Sequence, residues 1–164
     1  MRCIEVRSAQ IFAFISIPIE PSTGGEPAGQ SRSDFLTALK KAIAAAEAAL
    51  EKKAYDLVVL EAEHLKPVAD YFVVATGRSD VQVQAIARGI EEAMGKAGQR
   101  ALAVEGMHHA HWVVLDYDDV IVHLFYEPVR EFYRLERNWI DAHEVKLPEP
   151  IRKQAEGLRI RALG

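Results

Sequence analysis

The stretch Asp70–Asp80, DYFVVATGRSD, constrains the fold more than any other part of this chain. An apolar run, Tyr71–Ala75, leads directly into a Gly77-Arg78-Ser79-Asp80 turn that opens a helix. Ser79 is placed to cap that helix, and Gln82 follows at capping-box spacing. Val83, Ile86, Ile90 and Ala93 form its inward stripe, and Gly98 is placed to end it in a left-handed cap. Farther on, WVVLDYDDVIVHLF reads as two strands, Trp112–Leu115 and Val120–Phe125. With Asp116–Asp119 alone between them, they predict an antiparallel hairpin.

The remaining elements fall around these two units. Ser33 or Asp34 can cap a first helix running to about Lys53, with Phe35, Leu36, Leu39, Ile43, Ala46 and Leu50 as its stripe. Leu57–Leu60 is a short apolar run. Together with Tyr71–Ala75 it has the character of a central strand, buried on both faces. Ala101–Val104 is a further strand. Glu127-Pro128 starts a last helix with proline in its first turn, and Phe132, Leu135 and Trp139 as its stripe. Beyond about His143 the chain turns polar, and a terminal helix from Ile151 is only weakly signalled. The expected architecture is α/β: a single domain with a mixed five-stranded sheet and covering helices. Residues 34–143 form this domain, residues 1–33 an N-terminal extension, and residues 144–164 a polar C-terminal tail.

Composition narrows the function. The net charge of −4 argues against a broad grip on nucleic-acid phosphates, and an acidic surface is steered toward a basic partner. Cys3 is the single cysteine, so no internal disulfide can form. Near the start, Ile11–Ile17 is interrupted by Ser16 and stopped by Pro18, far short of the roughly 20 residues of a spanning helix. Arg2 and Arg7 precede that run, but no clean cleavage site follows it. Residues 1–33 therefore read as a frayed extension, or as translation started upstream, rather than a signal or transit peptide. The expected location is cytoplasmic, or an organelle if the extension is a transit peptide.

Each chemical motif has a structural reading beside the functional one. The Gly77–Asp80 turn sits at a helix N-terminus, a natural anion site. It has one glycine and no Lys-Ser/Thr pair, and Asp80 already supplies negative charge, so turn and cap explain it better; Arg78 alone is left to project. Asp116 and Asp118 are spaced to share a metal, as in nucleotidyltransferases, but they stand a helix and a strand away from the turn. Asp118 and Asp119 read as hairpin-turn residues. His108, His109 and His111 read as a solvated loop rather than a zinc site. His123 falls on the same strand face as Ile121 and Phe125. No nucleophile elbow occurs, and Ser79 is used as a cap. Trp112 and Tyr117 bracket a strand on which Trp112 and Val114 share one face and Val113 and Leu115 the other. Large amphipathic aromatics of this kind anchor interfaces as well as cores. No catalytic residue, metal ligand or cofactor site is expected.

Six segments resemble the ribosomal silencing factor (Iojap-like) family. They are Asp56-Leu-Val-Val-Leu60, the Asp70–Asp80 stretch, Glu105-Gly106, Trp112-Val-Val-Leu-Asp-Tyr117, Asp119-Val-Ile-Val-His123, and Arg130-Glu-Phe-Tyr-Arg-Leu-Glu136 with Trp139. The resemblance covers about Leu36 to Ala142. It implies a nucleotidyltransferase-like topology without the catalytic site, and binding to the large ribosomal subunit through its protein number fourteen. Docked there, the protein blocks the small subunit from joining and represses translation. Carried onto this chain, the contact residues are Trp112, Asp116 and Tyr117, with Arg78 and His123 beside them. Two departures stand out: Asp118 where the family usually has glycine, and Asn138 where it usually has an apolar residue. The first requires an aspartate in the left-handed region.

The expectation is thus a non-enzymatic ribosome-binding repressor, with no sequence-specific nucleic-acid readout, no membrane association, and a homodimer as an option for the free protein. The alternatives are a large-subunit assembly factor and, in a different class, a divergent nucleotidyltransferase using Asp116, Asp118 and the Gly77–Ser79 turn.

Overall fold

The computed structural model describes residues 36–62, 69–135, 137 and 141–162. The expected extension over residues 1–33, the connection at Pro67, and the Asn138–Trp139 pair lie outside the described residues. Along the chain the elements are α1 (Ala38–Glu51), β1 (Tyr55–Glu61), β2 (Tyr71–Gly77), α2 (Asp80–Lys96), β3 (Ala103–Glu105), β4 (Trp112–Asp116), β5 (Val120–Tyr126), α3 (Glu127–Tyr133), β6 (His143–Glu144) and α4 (Glu149–Ala162).

The strands form one mixed sheet in the order β3-β4-β5-β2-β1-β6. Its centre is the parallel pair β2 and β5, in register from Tyr71 opposite Val120 to Gly77 opposite Tyr126. The other pairings are antiparallel. The sheet has six strands rather than the expected five. The extra strand is only two residues long, pairing with Leu60 and Glu61, and so short a segment carries no periodicity to read.

The unit α2 forms as its residues dictate. The Ser79 hydroxyl accepts from the Gln82 amide at 3.1 Å, and the Gln82 side chain reaches back to accept from the Arg78 amide at 2.8 Å. The same side chain donates to the carbonyls of Lys52 and Lys53, joining the start of α2 to the end of α1. Val83, Ile86 and Ile90 are fully buried as expected, but the fourth large side chain fully buried with them is Met94, while Ala93 is only half-buried; each such large side chain contributes roughly 1.5–3 kcal/mol. Gly98, at φ +75°, completes the C-terminal cap, with its amide on the Gly95 carbonyl and that of Gln99 on Met94.

Helix α1 departs from expectation in both cap and face. Its N-cap is Thr37, whose hydroxyl accepts from the Lys40 amide, because the helix starts after Ser33 and Asp34. The buried side is Ala42, Ala45, Ala46, Ala48, Ala49 and Leu50, while Leu39 is exposed. Small side chains let α1 lie close to α2 and the sheet, and that approach outweighs the larger apolar side chains in setting the buried side. Lys41 is buried with them and its ammonium pairs with Asp119 at 2.8 Å, tying α1 to the β4–β5 turn.

Helix α3 is also shorter than its apolar spacing predicts. Arg134 turns left-handed at φ 44°, ending the helix at Tyr133 and leaving Phe132 81% exposed. Buried Arg130 on α3 donates to the Asp56 carbonyl and the Thr76 hydroxyl, and faces the Asp56 carboxylate at 3.4 Å. It braces the irregularity in β1 where Asp56 takes φ 47°. The C-terminal residues are more than a polar tail: α4 packs on β1 and α1 and buries Ile151.

The β4–β5 turn is closed by Asp116, whose Oδ1 accepts from the Asp118 amide at 2.8 Å. Asp118 stands at φ 75°, as the glycine usual at this position in the resembling family implies. Asp118→Gly is therefore expected to stabilise the protein by about 0.5–1 kcal/mol, since the αL penalty outweighs the extra freedom glycine brings to the unfolded chain. A denaturant midpoint that falls in the variant would contradict this.

Candidate functional site

The sheet presents two different faces. On one, Val59, Val73, Ala75, Val113, Leu115, Val120, Val122 and Leu124 pack with α1 and α2 into the main core. The other carries a smaller cluster of Leu60, Phe72 and Ile121, with Val58, Ala69, Val114 and Ala142 against it. Alternation along β4 sends Val113 and Leu115 to the core and leaves Trp112, Val114 and Asp116 half-buried on the second face.

Cross-strand register gathers an aromatic group there. Trp112 pairs with Phe125, and Val114 with His123. The Trp112 ring lies 5.0 Å from that of Phe125 and 5.3 Å from that of Tyr133. His123 stacks between Phe72 and Phe125, at 6.0 and 6.4 Å. Its Nδ1 accepts a hydrogen bond from Trp112 Nε1 at 3.2 Å. With 6% exposure, burial pushes its imidazole down to about 3, so the ring is neutral. Exposed Phe132, in edge contact with Tyr133, extends the aromatic surface toward solvent.

The five residues expected to form a contact surface are not brought together. Trp112, Asp116 and His123 share the second face, with Asp116 occupied in the hairpin turn. Tyr117 is only 4% exposed and lies in the main core, on the opposite side of the sheet. Its hydroxyl has no hydrogen-bond partner among the described residues, and burial, then the Glu91 carboxylate, push its phenol up to about 12. The turn closed by Asp116 folds this side chain inward, so in this conformation it offers no surface to a partner. Arg78 lies at the end of β2, exposed, its guanidinium 5.7 Å from the centre of the Tyr55 ring. Burial raises the Tyr55 phenol, as does neighbouring Glu127. Phe132 and Tyr133, outside the expected contact set, extend the same aromatic surface from the end of α3.

The geometry also bears on the enzymatic alternative. Asp116 pairs with Ile121, which pairs with Phe72, near the start of β2, whereas Gly77 is at its end. A rise of roughly 3.3 Å per residue puts on the order of 15 Å between the aspartates and the turn. The turn itself is filled from within: Ser79, Asp80 and Gln82 side chains accept from the amides of Gln82, Val81 and Arg78. Gly77 serves close packing, because a Cβ there would stand 2.8 Å from Val83 Cγ2. The three loop histidines are exposed, with His108 and His109 edge to face at 4.6 Å and His111 beside Tyr126. Among the described residues no group of three or more histidine, cysteine or carboxylate side chains is placed to hold a metal ion, and no helix is long and apolar enough to cross a membrane.

The family model described as "ribosomal silencing factor during starvation" matches residues 36–161. The chain belongs to this RsfS family. The match extends past Ala142, where the sequence resemblance stops, and takes in α4. The RsfS protein of Bacillus subtilis is 44% identical over 98 residues, covering 60% of this chain and 83% of its own. Similarity reaches plants: the chloroplastic Iojap protein of Zea mays is 31% identical over 134 residues, covering 81% of this chain and 58% of that protein. Among solved structures, a Chromobacterium violaceum protein aligns with a TM-score of 0.63 at 28% identity, covering 68% of this chain and 92% of that one. A Bacillus halodurans protein aligns at 0.57 and 34%, covering 66% and 96%.

Proposed function

We propose that this chain represses translation by docking on the large ribosomal subunit, through its protein number fourteen, and occupying space the small subunit needs. Membership of the ribosomal silencing factor family supports the process. The observation that carries the mode of action is the half-buried Trp112, braced by Phe125, Tyr133 and His123 beside exposed Phe132. An aromatic anchor of this kind, already rigid before binding, is what a docking surface needs. An interface of ordinary size, about 1,600 Å² in total, suffices, and the effect follows occupancy without turnover.

Co-sedimentation with purified bacterial large subunits tests the proposal. Trp112→Ala is expected to weaken binding by about 2 kcal/mol or more, roughly thirtyfold, with the circular dichroism spectrum retained. Wild-type chain is also expected to reduce joining when small subunits are added. Binding by the variant equal to wild type would remove the assigned face, and undiminished joining at saturation would remove the silencing mechanism. Tyr117→Ala does not serve here, because truncating a core aromatic costs about 3–5 kcal/mol of stability whatever the partner does.

A further inference from the structure

Why a histidine occupies the middle of β5 is not answered by packing. Position 123 lies between Val122 and Leu124 in a strand whose first six residues are all buried. On its own face it meets Phe72, Phe125 and Val114, surroundings that a phenylalanine or leucine would suit. An imidazole there gives up hydration at two nitrogens, a loss only hydrogen bonds can offset. One of those bonds is the Trp112 indole N–H. Since Nδ1 accepts, the ring proton sits on Nε2.

We propose that His123 is a positioning residue that acts through Trp112: its Nδ1 draws the indole N–H inward and fixes the ring, so that the indole offers the partner its carbon surface alone. This rests on the docking reading above and deepens it. Two ring contacts, from Phe125 and Tyr133, limit where the indole can lie, and the hydrogen bond sets its rotation between them. The consequence for recognition is chemical. An indole with its N–H already satisfied needs no acceptor from outside. The matching surface on the large-subunit protein is therefore an apolar recess, and a carbonyl or carboxylate opposite the ring would be left unpaired at a cost.

Two variants separate the acceptor from the ring. His123→Phe keeps the stacking with Phe72 and Phe125 but cannot accept, whereas His123→Asn loses the ring but can place an oxygen near Nδ1. Affinity for purified bacterial large subunits is expected to fall up to about tenfold in His123→Phe and to return to within about threefold of wild type in His123→Asn. In 15N spectra the Trp112 indole proton should exchange slowly in wild type and His123→Asn, and quickly in His123→Phe. Wild-type protein supplies a check that needs no variant: at neutral pH, His123 should show an unprotonated Nδ1 and a protonated Nε2. A protonated Nδ1, or wild-type binding by His123→Phe under conditions where Trp112→Ala has lost it, overturns the positioning role. Should Trp112→Ala itself bind normally, the docking face fails first, and the positioning proposal with it.

Discussion

Gly106→Ala is expected to destabilise the protein by about 3 kcal/mol or more and to displace the Trp112 backbone. Two independent penalties meet at this residue. Its φ of +79° is in the region that L side chains avoid. An added Cβ would also stand 2.0 Å from the Trp112 carbonyl oxygen and 3.1 Å from its carbon. These are main-chain atoms of a sheet strand, so no flexible side chain can swing away to relieve the clash. The Gly106 carbonyl accepts from the Ala110 amide at 2.9 Å, closing the turn that leads into β4, and Gln84 holds that turn through the Met107 carbonyl. Urea unfolding should show the loss of stability. Under conditions where the variant is still folded, large-subunit binding should fall as well, because Trp112 moves with its backbone. A variant within about 1 kcal/mol of wild type would show that the turn relaxes at little cost.

Mild acid should destabilise the protein, with His123 as a large contributor. Its imidazole titrates at about 3 in the folded chain against an ordinary 6.5, because burial disfavours the cation. Between those values the unfolded chain binds a proton that the folded chain refuses. The contribution is therefore complete above about pH 6.5 and is lost as pH falls toward 3, on the order of 5 kcal/mol in all. The charged groups around this face are Asp116, two residues beyond Val114 on β4, Glu105, which pairs with Val114 from β3, and buried Arg130 on α3, which donates to Thr76; the β2 positions on the same side are Phe72, Val74 and Thr76. The comparison that isolates the effect is wild type against His123→Phe, each unfolded in denaturant at pH 7.5 and pH 5. Wild type should lose about 2 kcal/mol more than the variant over that interval. Equal losses would mean that His123 accepts a proton while folded.

The strand–turn–helix unit and the hairpin were legible because their signals are local. A cap three residues from its partner, a glycine in the left-handed region and alternation along a short strand all act within one element. The side of α1 that is buried was not local. Leu39 and Ala45 differ only in which turns toward α2 and the sheet, and closeness of approach favoured the smaller residue. Lys41 could not be matched to Asp119, nor Arg130 to Asp56 and Thr76, because those partners come from distant elements. The end of α3 at Arg134 carries no glycine or proline to announce it. In the candidate site, alternation placed Trp112 and His123 on their faces, but their hydrogen bond depends on the register of β4 against β5. For Tyr117, extending the alternation past Asp116 already puts it with Val113 and Leu115. Its amphipathic character suggested an anchor where geometry made a core residue.

The parallel pairing of β2 with β5 has a consequence for when the molecule becomes competent. A nascent chain that has emerged only as far as β4 has no central strand to insert between β4 and β2. Phe72 then lacks its histidine neighbour, and the indole has neither ring beneath it nor acceptor beside it. Because such long-range pairing completes late, the aromatic surface proposed for docking does not exist until β5 and Tyr133 have been made. On the docking reading proposed above, the chain is inert toward the ribosome that is making it until most of its own synthesis is over.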